Sequence, residues 1–243
     1  MRVPRIHVGE PIGKRGELWI AGDAARHLHR VLRLQVGDEL TVFDGSGGEH
    51  GAHVGAFERG AVRITVDPVR DVDRESPLAI TLWQAPCRGD RMDHVIEKAT
   101  ELGVARVMPW LAKRAVVRLE GERAEQRRAH WQAVAASACE QSGRNRVPIV
   151  EAPRPLADLI ADCEHGALKL ELRPHATTRL ADLRERPRAV VLAVGPEGGL
   201  THDEETALEH AHFLPITLGP RILRADTAGT ACIAALQALW GDG

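Results

Sequence analysis

Hydrophobic and polar positions follow two successive patterns along the chain. From Glu17 to Val69, short β-rich runs ("ELWI", "ELTVF", "GAHVGAF", "AVRITV") alternate with the turn segments "DGSGG" and "ERG", which predicts a small antiparallel sheet or barrel. One helix interrupts it. Asp23 is placed to cap "AARHLHRVLRL", with Leu28, Val31 and Leu32 as the inward stripe and Arg26, Arg30 and Arg33 at i, i+4, i+7 on another face. The charged, proline-bearing "RDVDRESP" (Arg70 to Pro77) reads as a linker.

After Ser76 strands and helices alternate. "LAITLWQA" is a strand; Met92, Val95, Ile96 and Ala99 mark a helix that Gly103 ends; "ARVMPW" is the next strand. A long helix follows in "ERAEQRRAHWQAVAASACEQSG", with Trp131, Val134, Ala135, Ala138 and Cys139 inward. "ALKLEL" and "AVVLAV" read as buried strands, Thr201 to Glu204 as a capping box opening a helix, and "FLPITLG" as a further strand. A final helix carries Ala228, Ala231, Cys232, Ala235 and Leu239 on one face. This alternation predicts an α/β domain, a mainly parallel sheet covered by helices, with ligands at the carboxyl ends of its strands.

Composition narrows the class. Hydrophobic residues at 44% and charged residues at 27% suit a globular domain, and no apolar run nears the roughly 20 residues of a membrane span. The start "MRVPRIHVGEPIGK" has no apolar h-region, so a cytoplasmic location is expected. Cys87, Cys139, Cys163 and Cys232 are scattered and form no C-x-x-C pair, which argues for reduced thiols and against a zinc site. The pairs His27 and His29, and His50 and His53, have no acid or cysteine cluster beside them, so no metal is expected.

The net charge of −2 conceals a segregation. Residues 1–34 balance at +4 and residues 112–146 at +4, which leaves about −10 elsewhere. Two basic regions on an acidic body suit a docked polyanion, and solvated helix faces give the same counts.

Two glycine loops remain. In "VVLAVGPEGGL" a buried strand runs into Gly195-Pro196-Glu197-Gly198-Gly199; no Gly-Lys-Ser/Thr and no G-x-G-x-x-G follows, so the loop cradles something other than a pyrophosphate. "LGPRILRADTA" (Leu218 to Ala228) again joins a strand to a helix. Ile222 and Leu223 beside a glycine turn can form an apolar slot for an adenine ring, flanked by Arg221 and Arg224. Parallel-sheet geometry would bring the two loops side by side.

Together the two motifs resemble the RsmE family, bacterial methyltransferases acting on N3 of a uridine in 16S ribosomal RNA. "HLHRVLRLQVGDELTVFDGSG", "RGDRMDHVIEKATELGV" and "EQSGRNRVP" carry the likeness in the same order over nearly the whole chain. The resemblance implies a PUA-like RNA-binding β-barrel over 1–70 and a SPOUT methyltransferase domain over 76–243, with a trefoil knot within about 167–243. It implies S-adenosylmethionine as cofactor, homodimers, and the 16S rRNA of the small ribosomal subunit as partner. Carried over to this chain, the cofactor contacts would be Leu172, Gly195, Pro196, Glu197, Gly198, Gly199, Leu218, Gly219, Ile222, Leu223, Arg224 and Thr227. Two positions depart from the family pattern: Asp226 stands where a glutamate is expected, read here as a helix cap, and "LRPHA" puts Arg173 and His175 around Pro174 where "LHP" is expected.

Methylation at uridine N3 needs in-line placement and a means of handling the N3 proton. Glu197 is the candidate acceptor, and Arg224 the candidate for stabilising charge that spreads onto O2 and O4. Arg5, Arg26, Arg30 and Arg33 are the candidate phosphate contacts. With no tyrosine and three phenylalanines, recognition by shape fits better than extended base stacking. In "EQSGRNRVP", capping of the long helix by Gly143, Arg144 and Arg146 competes with a basic interface. Two other functions stand beside the enzyme: an RNA-binding assembly protein of the same fold without catalysis, and a small-molecule α/β enzyme using a nucleotide cofactor.

Overall fold

A computed structural model describes residues 3–13, 16–117, 119–184 and 186–243; Arg2, Lys14, Arg15 and Arg118, four of the basic residues behind the charge balance, lie outside them. The chain divides into two compact units, Met1–Glu75 with Cys139–Val147, and Ser76–Ala138 with Pro148–Gly243.

The first unit contains strands β1 (Arg5–His7), β2 (Glu17–Ile20), β3 (Glu39–Phe43), β4 (Glu49–Glu58) and β5 (Ala61–Arg70), in the order β1-β3-β4-β5-β2. The pairings are antiparallel except that β1 runs parallel to β3, with Ile6 opposite Val42. Period-two alternation buries Leu40, Val42, Val54, Val62 and Ile64 in one core with Ile6, Ile20 and Leu28.

The helix of this unit differs from the periodic expectation. Helix α1 spans only Gly22–Arg26, follows Ala21 as its N-cap, and holds Asp23 in its first turn, so Asp23 is not the cap. His27–Val31 continues as a π-helix, in which the Leu32 N–H donates to the His27 carbonyl five residues back at 3.0 Å. Wider winding breaks the 100° stripe: Leu28 is buried, but Val31 is 65% and Leu32 36% exposed.

The segment 139–147 belongs to this unit through buried polar groups. Glu49, nearly buried, accepts from Arg5 Nη1 at 2.6 Å and from Arg74 Nη1 at 3.1 Å. Arg5 Nη2 also donates to Asn145 Oδ1 at 2.6 Å, Asn145 Nδ2 donates to the Val72 carbonyl at 2.8 Å, and Arg144 pairs with Glu75. Arg146 Nη1 donates to the Ser46 carbonyl at 2.8 Å. The run "RNR" is thus built into the first unit, beyond the helix capping read for Arg144 and Arg146.

The second unit contains β6 (Ala79–Gln84), α2 (Arg91–Glu101), β7 (Arg106–Leu111), α3 (Gly121–Ser142, whose residues from Cys139 belong to the first unit), β8 (Ile149–Val150), β9 (Arg154–Pro155) and α4 (Leu156–Ala161). Then come β10 (Leu168–Leu172), β11 (Thr178–Arg179), β12 (Ala189–Val194), α5 (His202–His210), β13 (Leu214–Thr217) and α6 (Ala225–Trp240). The strand order is β11-β13-β10-β12-β6-β7-β8, with β9 also on β7, and these pairings are parallel. Burial on both faces explains why β12 reads as an unbroken apolar run. Strand β13 lies between β10 and β11, both of which precede it in the chain.

Local signals end the helices as expected in two places. Gly103, at φ 83°, follows α2, and Thr201 with Glu204 forms the capping box of α5. Helix α6 is rotated from the predicted face. It buries Ala225, Gly229, Cys232, Ile233 and Leu236, while Leu239 is 46% exposed. The helix packs through Gly229, where an added Cβ would stand 3.0 Å from Oε1 of the fully buried Gln84 and 3.4 Å from Val194. A glycine has no weight in a hydrophobic stripe, so the pattern missed the close approach.

Candidate functional site

The carboxyl ends of three adjacent strands, β13, β10 and β12, open on one cleft of about 600 Å³. Strand β10 ends at Leu172 and runs into Arg173 and Pro174; β12 runs into Gly195, Pro196 and Glu197; β13 leads through Leu218 to the segment Arg221–Arg224 at the start of α6. Leu172, Ile216, Leu218, Ile222 and Leu223 give it an apolar side, and Glu197, Glu205, Arg91, Arg221 and Arg224 add charge. Its size and its mix of apolar wall with few polar groups suit a nucleoside-sized ligand.

The loop after β12 is shaped by its glycines. The Gly199 N–H donates to the Pro196 carbonyl at 2.9 Å and Gly199 takes φ 71°, a conformation that favours glycine. At Gly195 a side chain would meet Leu200 at 2.8 Å. Gly198 faces the other way: its Cβ would lie 3.2 Å from the Arg114 carbonyl, and Arg114 Nη1 donates to the Leu200 carbonyl at 2.9 Å. The Trp110 indole, buried beneath, donates to the Val194 carbonyl at 3.1 Å.

Nine of the twelve predicted cofactor contacts line this cleft: Leu172, Gly195, Pro196, Glu197, Gly199, Leu218, Ile222, Leu223 and Arg224. Gly198 packs on Arg114, Gly219 lines a neighbouring hollow with His175 and Arg179, and Thr227 is exposed on α6 outside the lining. The prediction gave no role to Arg91, Glu171 or Glu205. Arg91 lies in the quoted "RGDRMDH", at the start of the helix that follows a strand's carboxyl end, and that position was the available signal.

Ionic contacts order the site. Arg91 Nη1 lies 3.7 Å from Glu197 Oε1, and its Nε lies 3.7 Å from Asp226 Oδ2. Asp226 is therefore not the helix cap: the N-cap is Arg224, and Asp226 in the first turn faces Arg91. Arg173 donates from Nε and Nη2 to Glu171 at 2.9 and 2.7 Å, and from Nη1 to Glu209 at 2.9 Å. Burial pushes the Glu171 carboxyl above its ordinary value, and the Arg173 hydrogen bonds oppose that rise. The Cys87 thiol is pushed up to about 12, by burial first and then by the charges of Glu197 and Asp226.

The predicted RNA contacts divide. Arg5 is a correction: its side chain is 9% exposed, spent on Glu49 and Asn145, and stacked 5.0 Å from the Phe43 ring centre, so it builds the first unit rather than facing a phosphate. Arg26, Arg30 and Arg33 are exposed, Arg26 paired with Asp23 and Arg33 at φ 55°. Among the described residues no group of three or more His, Cys, Asp or Glu is placed to hold a metal, and no helix is long and apolar enough to cross a membrane.

Comparison with known proteins decides the family. The model for an RNA methyltransferase domain matches residues 74–237, and that for an RNA methyltransferase PUA domain matches residues 20–67. The ribosomal RNA small subunit methyltransferase E of Synechocystis sp. is 35% identical over 218 residues, covering 88% of this chain and 70% of that protein. Its Mycobacterium tuberculosis counterpart is 32% identical, covering 90% and 86%. The chain belongs to the ribosomal RNA small subunit methyltransferase E family. Among solved structures, the Neisseria gonorrhoeae methyltransferase E bound to S-adenosyl methionine aligns over 99% of both chains, with TM-score 0.91 and 38% identity. A Legionella pneumophila protein in complex with bound SAM aligns over 100% of both, with TM-score 0.95 and 34% identity. The two departures from the family pattern both fall in ionic contacts of this chain, Arg173 on Glu171 and Asp226 opposite Arg91.

Proposed function

We propose that this chain methylates N3 of one uridine in 16S rRNA of the small ribosomal subunit, as a cytoplasmic homodimer that takes its methyl group from S-adenosylmethionine bound in the cleft of β10, β12 and β13. The observation that carries the reading is the convergence of three loops on one cleft of about 600 Å³. The residues suit the cofactor: an apolar side for the adenine, glycine backbone for close approach, and acidic Glu197 and Glu205 for a cationic sulfonium and ammonium. The placement of β13 between β10 and β11 supports a knotted path through the same loops.

The cofactor supplies an already activated methyl group, so the protein's work is placement and charge. The cleft walls would exclude water. Arg224, at the N-cap of α6 and on the cleft wall, would stabilise negative charge on the uracil oxygens as N3 loses its proton. Glu197, 30% exposed, is the carboxylate within the loop that can take that proton. Arg26, Arg30 and Arg33 would hold phosphates and leave sequence choice to RNA shape.

Incubation with methyl-labelled cofactor and either undermethylated small subunits or naked RNA, followed by nucleoside analysis, tests this. Labelled 3-methyluridine is expected. Its absence from both substrates, with cofactor binding intact, would favour the non-catalytic assembly protein.

A further inference from the structure

We propose that Arg91 is a positioning residue for the cofactor cleft, its guanidinium shared between Glu197 and Asp226 so that it ties the loop after β12 to the start of α6. The three residues come from separate elements: the first residue of α2, the Gly-Pro-Glu-Gly-Gly loop, and the first turn of α6. Both separations are 3.7 Å, a cation seated between two anions rather than bonded fully to one. Asp226 is only two residues beyond Arg224, so a shift of Asp226 carries the N-cap of α6 with it.

The placement of Arg91 is electrostatically unusual. A cation at a helix N-terminus opposes the helix dipole, which favours acids there. Two facing carboxylates offset that cost, and without Arg91 they would be left with no cation between them, both acting on the buried Cys87 thiol. Arg91 neutralises their repulsion and sets the spacing of two walls of the site. A lysine would keep the charge but present it at one point, without the breadth of the guanidinium.

The inference rests on the cofactor reading above, and calorimetric titration with S-adenosylmethionine separates the two. Wild type is compared with Arg91→Met, Arg91→Lys, Glu197→Gln, Asp226→Asn, and the doubles that pair Arg91→Met with each acid change. Arg91→Met should weaken binding about tenfold, Arg91→Lys less, and neutralising either acid should cost far less once Arg91 is gone. Melting temperatures without cofactor should change little, and in turnover the KM for the cofactor should rise more than kcat falls. Additive losses in both cycles, or wild-type affinity in Arg91→Met, would overturn the inference alone. Should Arg91→Met not fold, wild-type affinity in Arg91→Lys would overturn it. No binding by wild type would overturn the cofactor reading and this inference with it.

Discussion

Arg173 clasps Glu171 with two hydrogen bonds, 2.9 and 2.7 Å long, and Glu171 is fully buried at the end of β10. Removing the arginine strands a buried charge. Arg173→Met should therefore lose about 3–5 kcal/mol of stability in urea unfolding at pH 8. Folded Glu171 holds its proton more tightly than unfolded Glu171, so its contribution to stability falls as pH rises from the ordinary 4.5 through the raised folded value. Without Arg173 that window extends upward, and the deficit of Arg173→Met should be smaller at pH 5.5 than at pH 8. An equal deficit at both would contradict the pairing.

In the first unit the sign reverses. Burial raises Glu49, but hydrogen bonds from Arg5 and Arg74 outweigh it, and the carboxyl lies below its ordinary 4.5. Its stabilisation is present above that value and lost as pH falls through the depressed folded value. Glu49→Gln should destabilise the protein near neutrality by about 3 kcal/mol and flatten the acid limb of its pH–stability curve.

Arg26, Arg30 and Arg33 are exposed whereas Arg5 is not. Replacing the three by Ala should weaken RNA binding and lower the slope of log K against log salt by about 2–3. Arg5→Met should lower the melting temperature instead. An unchanged slope in the triple variant would leave the stripe a solvated face.

Three thiols should be silent in the native protein. Cys87, Cys139 and Cys232 are buried and pushed up to about 12 by that burial, while Cys163 is partly exposed. Titration with a disulfide reagent at pH 8 should modify Cys163 first and the others only after unfolding.

Arg224→Ala should lower kcat in the methylation assay by about 10²–10³, the cost typical of losing one preorganised donor to a developing anion. Unchanged turnover would remove Arg224 from the chemistry.

Sequence by itself determined the features that depend on neighbours in the chain. Alternation over Ala61–Val66 marks a strand because burial repeats with the strand's own period, and the apolar run Ala189–Val194 marks one because both of its faces are covered. The Thr201–Glu204 box and Gly103 mark helix ends because capping bonds span only three or four residues. The motifs "GPEGGL" and "LGPRILRADTA" located two cleft loops because both follow strands of a parallel sheet, whose carboxyl ends are where ligands sit. Only the tertiary structure decided what depends on residues far apart. Strands β8, β9 and β11 are two residues each, too short for any period, and exist because a neighbouring strand pairs with them. Arg5 meets Asn145 across 140 positions, so its basic charge read as an RNA contact until its partner was visible. The face of α6 is set by Gly229 against Gln84, and Arg91 acquires its place only when Glu197 and Asp226 are brought to either side of it. A local pattern records which side of an element is buried; which charges face one another is decided by packing.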